Sequence, residues 1–308
     1  MNPFPQRQLD ATASRRRLRE LMSGTMPLEL PGPYDTASAQ VLARIGFQAL
    51  WAGGNVSSAG RLGVPDVNLM TMTEHLAFCS SIVDATGLPV VADTDDGYGQ
   101  ALMVTRTTQA FERAGLAAIV IEDQASPKRC AFYEGQPLEV ISQQAHVAKI
   151  KAAVDARRDE AMMIWARTDA LPAGLGTSAA LDRAYACVEA GADAVFTPSA
   201  SIDDLAAIGQ AWDRPGHLVM SNYNFADLNL TKVREIGYSA RLHPMPAILA
   251  ALRAVETVYR ELHDTGSFGQ STASSMPLAE LVAMTGKADA DALDERFRAV
   301  SEMTVPVG

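Results

Sequence analysis

Three cysteines in 308 residues are too few and too scattered for a disulfide framework or a zinc site. The chain also lacks a basic run of the kind that follows a phosphate backbone. Its formal net charge is −10, which excludes a nucleic-acid surface as the organising feature. The one basic cluster, Arg15-Arg16-Arg17, is followed by Leu18 and Glu20 and reads as the solvated face of a short helix. No window approaches the roughly 18 consecutive apolar residues of a membrane helix, and the first residues carry no apolar signal-peptide core. A reducing cytoplasm is the expected setting, with no membrane partner. Cys79 and Cys187 fall in helical patterns and read as small core residues. Cys130 differs. It sits in a polar loop beside Lys128 and Arg129, a setting that lowers a thiol pKa and makes it a candidate acid or base.

What is present is an alternation. Hydrophobic residues make up 48% of the chain, enough for a sizeable core, and the length suits one large α/β barrel or two smaller domains. Eight short apolar runs read as strands: Leu28–Leu30, Ala49–Ala52, Val90–Asp93, Ala118–Ile121, Met162–Ala166, Ala194–Thr197, Leu218–Ser221 and Ala240–His243. Amphipathic helical patterns lie between them, several ending in glycine at Gly46, Gly115, Gly191 and Gly237. Eight such units predict a parallel sheet closed into a (β/α)₈ barrel, an α/β fold. A polar helix over Ala11–Met22 caps the bottom of the barrel or meets another subunit. Residues 53–72 form a long Gly- and Ser-rich loop, and 124–139 a polar insertion suited to closing over a substrate. The barrel domain spans 1–264. Residues 265–308 are a helical extension, with helices at Leu278–Met284 and Asp289–Ser301 for packing on a partner subunit.

Two consecutive strands finish in acids. The third ends at Asp93, Asp95 and Asp96, followed by Gly97 and Gly99. The fourth ends at Glu122 and Asp123 and leads to Lys128, Arg129 and Cys130. Any one such acid is an ordinary turn or cap residue. Two clusters at matching strand ends are another matter, because a parallel barrel gathers those ends on the face where active sites are built. Adjacent carboxylates there suit a hard cation such as Mg²⁺. The other strand ends add Gly53, Gly54 and Asp66, then Arg167 and Asp169, then Asn222. The glycine pair can offer backbone N–H groups to an oxyanion, and Arg167 can clamp a carboxylate. Formation of an enolate from a 2-oxo or 2-hydroxy acid at a bound metal is the matching reaction class.

LGVPD (62–66), ADTDDGYG (92–99), IEDQ (121–124), PKRC (127–130) and ARTDA (166–170) resemble the isocitrate lyase and phosphoenolpyruvate mutase superfamily. The resemblance runs from about Tyr34 to Leu262. It implies a (β/α)₈ barrel, a C-terminal helix exchanged between subunits, Mg²⁺, and a homo-oligomer, dimer or tetramer. It places Mg²⁺ on Asp93, Asp95 and Glu122, and substrate on Gly53, Gly54, Arg129, Asn222 and Tyr34. Catalysis falls to Cys130, Lys128, Asp66 and Arg167, with Cys130 protonating the departing enolate.

Departures from the lyase pattern narrow the substrate. The usual C-G-H triplet reads Cys130-Ala131-Phe132, the Glu after strand six is absent from Phe196-Thr197-Pro198-Ser199, and the Ser before the glycine pair is Ala52. Groups that hold the distal part of a tricarboxylate are therefore missing, which argues against isocitrate and methylisocitrate. Carbon–carbon cleavage of a 2-hydroxy or 2-oxo dicarboxylic acid is the leading expectation. Phosphonomutase or phosphonopyruvate hydrolase chemistry, oxaloacetate decarboxylation, and a barrel that only binds a metabolite are the alternatives. Phe132, Tyr133 and Tyr223 give the pocket an apolar cast.

Overall fold

The computed structural model describes residues 10–133, 138–221 and 228–302. Helix α1 (Ala11–Met22) leads into β1 (Leu28–Pro31), α2 (Thr36–Ile45) and β2 (Leu50–Ala52). After these come the short α3 (Gly54–Ser57) and a π-helical turn, Ser58–Leu62. The alternation continues with α4 (Met72–Thr86), β3 (Val90–Asp93), α5 (Ala101–Arg113), β4 (Ala118–Glu122), α6 (Gln143–Ala156) and β5 (Met163–Arg167). It ends with α7 (Gly176–Glu189), β6 (Ala194–Phe196), α8 (Ile202–Ala211), β7 (His217–Ser221), α9 (Leu230–Glu235), β8 (Ala240–His243) and α10 (Pro246–Thr265). A 3₁₀ turn, Ser271–Ser274, precedes α11 (Leu278–Met284) and α12 (Lys287–Glu302). All ladder pairs are parallel, in the order β1-β8-β7-β6-β5-β4-β3-β2, a nearly closed (β/α)₈ barrel. Gly46, Gly115, Gly191 and Gly237 all take positive φ at helix ends, as the helix-stop reading required.

Strand parity builds the core and then the site. Val91, Val120, Met163, Trp165, Ala194, Phe196 and Leu242 point inward and pack together. Their neighbours Val90, Ala92, Ile119, Ile121, Ile164 and Ala166 point outward against the helices. Two residues beyond Val91, Val120 and Trp165 stand Asp93, Glu122 and Arg167, so the same alternation carries these charges to the inner face. β4 runs one residue further than expected, to Glu122, and β5 to Arg167. The two residues are ladder partners.

Two expectations change. The arginine cluster of α1 is not a wholly solvated face: Arg15 is buried with Leu18 and Met22. Its guanidinium donates to the Leu116 and Glu112 carbonyls and pairs with Asp159 at 2.7 Å, so α1 plugs the lower mouth. Sequence amphipathicity cannot distinguish an arginine facing water from one facing a ring of carbonyls. Residues 53–72 are not an open loop, because α3 and the π-helical turn fold its first part.

α10 turns an apolar row outward. Leu249, Leu252, Val255 and Tyr259 are exposed, as are Leu278 and Leu281 of α11. Among the described residues, no helix is long and apolar enough to cross a membrane.

Candidate active site

The upper mouth gathers most of the predicted residues. Gly53, Gly54, Asp66, Asp93, Cys130 and Arg167 line one cleft. Both glycines are required by close approach. A Cβ on Gly53 would stand 2.6 Å from Trp51 Nε1, and one on Gly54 3.2 Å from Asp66 Oδ1 and from Asp95 Oδ1. Gly54 N–H points at Asp93 Oδ2, 3.4 Å away. Phe196 lies under the Arg167 guanidinium at 5.3 Å, a cation–π contact that holds the clamp flat.

Charge is crowded beneath this cleft. Lys128, 1% exposed, pairs with Asp66 at 2.8 Å and with Asp95. Arg167 pairs with Glu122 and Asp169, both at 3.0 Å, and lies 3.8 Å from Asp93. Two cations thus serve five buried carboxylates. Burial pushes Asp95 up to about 7 against the pull of Lys128. Burial likewise raises Glu122 well above the usual carboxylate range, although Arg167 and Lys128 oppose it. Among the described residues, Glu122 Oε1 is buried with no hydrogen-bond partner. Backbone strain concentrates here too: Asp95, Tyr98 and Asn68 have φ of 49°, 61° and 61°.

Cys130 is buried, and burial pushes its thiol up to about 11. That reverses the expectation of a lowered value. Lys128 spends its charge on Asp66 and Asp95, and desolvation dominates the thiol. The Arg129 guanidinium bonds the Pro127 and Lys128 carbonyls of its own loop and does not line the cleft. Tyr34 is half-buried, its N–H donating to Ser38 Oγ and its carbonyl packed near Gly60, again outside the cleft lining. Asn222 and Tyr223 lie outside the described residues. Asp96 faces α6, where Lys149 donates to its carbonyl at 2.7 Å, and has a structural role in the turn.

Sequence reading missed three residues, Asn55, Asn68 and Ser221, and read Tyr133 only as an apolar pocket wall. Asn55 Nδ2 lies 3.6 Å from Cys130 Sγ. Asn68 donates to Asp95 and accepts from the Lys128 N–H, tying two segments of the site together. Its signal was available, since Asn tolerates positive φ. Ser221 ends β7 at the cleft, and among the described residues its buried hydroxyl has no hydrogen-bond partner. Tyr133 OH accepts from the Asp66 N–H, pinning the 124–133 segment down.

An acid-rich upper face on a (β/α)₈ barrel, with a clamp arginine and a buried thiol, defines a class of enzymes that act on small anions. The sequence model of the phosphoenolpyruvate phosphomutase family matches residues 18–263, and the chain belongs to that family. It is 39% identical to 2,3-dimethylmalate lyase of Eubacterium barkeri over 80% of this chain and 85% of that one. It is 38% identical to 2-methylisocitrate lyase of Aeropyrum pernix over 81% and 80%. These relatives are carbon–carbon lyases. Among solved structures, the phosphoenolpyruvate phosphomutase of Streptomyces platensis subsp. rosaceus superposes with a TM-score of 0.88 at 30% identity, over 92% of this chain and 99% of that one. A phosphonopyruvate hydrolase in complex with oxalate and Mg²⁺ superposes with a TM-score of 0.83 at 28% identity, over 94% and 98%.

Proposed function

We propose that the chain is a Mg²⁺-dependent lyase that cleaves a branched 2-hydroxy dicarboxylic acid of the 2,3-dimethylmalate type into a 2-oxo acid and a second carboxylate. The observation that carries this reading is the buried Cys130 thiol in the same cleft as Arg167, Asp93 and the Gly53–Gly54 pair.

The donor set fits a hard cation. It is all oxygen, and it includes a buried carboxylate oxygen of Glu122 that nothing else satisfies. Asp93, Asp95 and Glu122 are the residues that would hold Mg²⁺, directly or through water. Among the described residues, no three or more His, Cys, Asp or Glu side chains close up into an all-protein shell. When bound, Mg²⁺ offsets negative charge on the reacting oxygens.

The protein's own groups do the rest. Arg167 and the glycine N–H groups anchor the carboxylate of the half that becomes the 2-oxo acid. The 2-hydroxyl proton passes to the carboxylate cluster, the C2–C3 bond breaks, and its electron pair moves to C3 of the departing half. Cys130 S–H protonates C3, a task suited to a thiol that burial keeps protonated at neutral pH. Lys128 and Asp66 hold the floor of the site. Phe132 lines the cleft where the lyase pattern has His, and so favours an apolar substituent over a further carboxylate.

The tail, residues 265–308, packs on a second copy in this reading. The exposed apolar row of α10 and α11 supports a homo-oligomer, dimer or tetramer, and the cytoplasm is the setting proposed for it. A second reading, phosphonate chemistry, is favoured by Ala131-Phe132 and by the likeness to the phosphomutase and hydrolase structures. Oxaloacetate decarboxylation needs only part of the same site.

Proton and phosphorus NMR of the purified protein with Mg²⁺ separates these. The panel is 2,3-dimethylmalate, methylisocitrate, oxaloacetate and phosphonopyruvate. Pyruvate and propionate appear from 2,3-dimethylmalate, and Cys130→Ser loses this cleavage by about 10²–10⁴-fold while still binding substrate. A phosphonate-to-phosphate shift, or unchanged turnover by Cys130→Ser, would sink the lyase reading.

A further inference from the structure

Behind the glycine pair lies a buried chain of polar side chains outside the cleft lining. Ser57 Oγ is 2.8 Å from the Gly53 carbonyl oxygen and 3.0 Å from that of Gly54. On its other side is His75 Nδ1 at 3.2 Å, and His75 Nε2 faces Cys79 Sγ at 3.4 Å. Ser57 and Cys79 are 0% exposed and His75 is 1% exposed. The His75 ring is packed near Phe78 and Phe111, with centroids 6.0 Å away in each case.

The protons in this chain run one way. Carbonyls only accept, so the single Ser57 proton points at the glycine carbonyls. The Ser57 oxygen then accepts from His75 Nδ1–H. That tautomer leaves Nε2 with a lone pair, which accepts from the Cys79 thiol.

The chain ends on the backbone that faces the substrate. The Gly53 carbonyl and the Gly54 N–H belong to one planar peptide unit, so gripping the oxygen aims the N–H. Glycine has no Cβ to resist rotation of that plane. The hydroxyl adds to the Ser57 N–H, which donates to the same Gly53 oxygen at 3.3 Å, a restraint that a side chain cannot supply, because a Cβ at either position would collide with Trp51 or crowd Asp66 and Asp95. A buried polar trio is costly unless every member is bonded, and an apolar filling would avoid that cost.

We propose that His75 is a positioning residue: through Ser57 it fixes the Gly53–Gly54 peptide plane, whose N–H makes only a long 3.4 Å contact with Asp93 Oδ2 and turns to the substrate's carboxylate or enolate oxygen when Asp93 takes the cation. This rests on the reading of the glycine pair as donors to substrate.

The test is calorimetric titration of oxalate, a planar dianion, into the full-length protein with Mg²⁺, beside kcat and KM for 2,3-dimethylmalate and the melting temperature of each variant. His75→Leu weakens oxalate at least tenfold and lowers kcat by about 10–100-fold, the scale of a small misplacement of a positioned group. His75→Asn, whose amide N–H replaces Nδ1–H, recovers both to within about threefold. A purely packing role predicts the opposite order, with Leu tolerated better than Asn, and that result overturns the proposal. If His75→Leu does not fold, Ser57→Ala decides: a tenfold loss of oxalate affinity supports the proposal and wild-type affinity overturns it. Wild-type protein that fails to bind oxalate also overturns it. Wild-type protein that binds oxalate but cleaves nothing contradicts the lyase reading alone, and the oxalate series still decides on His75.

Discussion

At the lower mouth of the barrel, Arg15 is 5% exposed and its three donor nitrogens all find acceptors: the Leu116 carbonyl, the Glu112 carbonyl and Asp159. Glu112 takes the Arg158 and Asp159 N–H groups, and Asp193 pairs with both Arg19 and Arg157. At the upper mouth Asp66, Asp93, Asp95, Glu122 and Asp169 share Lys128 and Arg167, and buried oxygens of Glu122 lack hydrogen bonds. Both ends bury ions. The lower end spreads each charge over fitted partners, and that end holds the fold together. The upper end leaves more carboxyl groups than cations on a strained turn, with burial opposing the ionisation of Asp95 and Glu122, and that unmet set is what a cation can complete and an anionic substrate can then use.

Substitution should separate the two ends. The largest effect falls at the top. Glu122→Gln lowers kcat/KM by about 10³-fold, the scale of losing a preorganised charge in a closed site. The same change leaves the melting temperature unchanged or raises it, because it replaces a carboxyl whose ionisation burial opposes with a neutral amide of the same shape. A lower melting temperature with intact turnover would reverse the assignment of the two ends. At the bottom the signs invert. Arg15→Ala costs about 2–3 kcal/mol of stability, read by denaturant unfolding, since it strips charge-assisted bonds from a plug. The kcat of the protein that remains folded stays at the wild-type value.

The smallest effect is that of acid on the lower mouth. Burial raises the Asp159 carboxyl, but bonds from Arg15, Thr12 and the Ala161 N–H outweigh it and hold it at about 2, against 3.8 for a free carboxyl. A lowered pKa contributes stability above the unfolded value that is lost as pH falls through the folded one. Between about pH 4 and pH 2, the wild type should therefore lose stability more steeply than Asp159→Asn. Parallel slopes would remove Asp159 from the account.

The strands were legible because each is a short apolar run whose inner and outer faces are both buried. The site acids were legible because they continue that inward parity to the strand end. Side-chain direction in loops was not. Arg129 sits beside Cys130 in sequence, yet it turns to its own carbonyls. Lys128 stands two residues from the thiol and is consumed by Asp66 and Asp95. The thiol's pKa therefore moves opposite to what its sequence neighbours suggest. Arg15 read as solvated because its partners are carbonyls at Glu112 and Leu116, about a hundred residues away. Asn55 and Ser221 carry no local pattern at all. They became visible only when separate strand ends were brought around one cleft.

The upper mouth holds more carboxyl groups than its two cations serve, a set that a divalent cation completes. Calorimetric titration of Mg²⁺ into the full-length protein, repeated with Glu122→Gln and followed by thermal melting, tests it most directly. The account predicts saturable binding to the wild type, a melting temperature that rises with Mg²⁺, and the loss of both in Glu122→Gln. No heat and no rise in the wild type would contradict it.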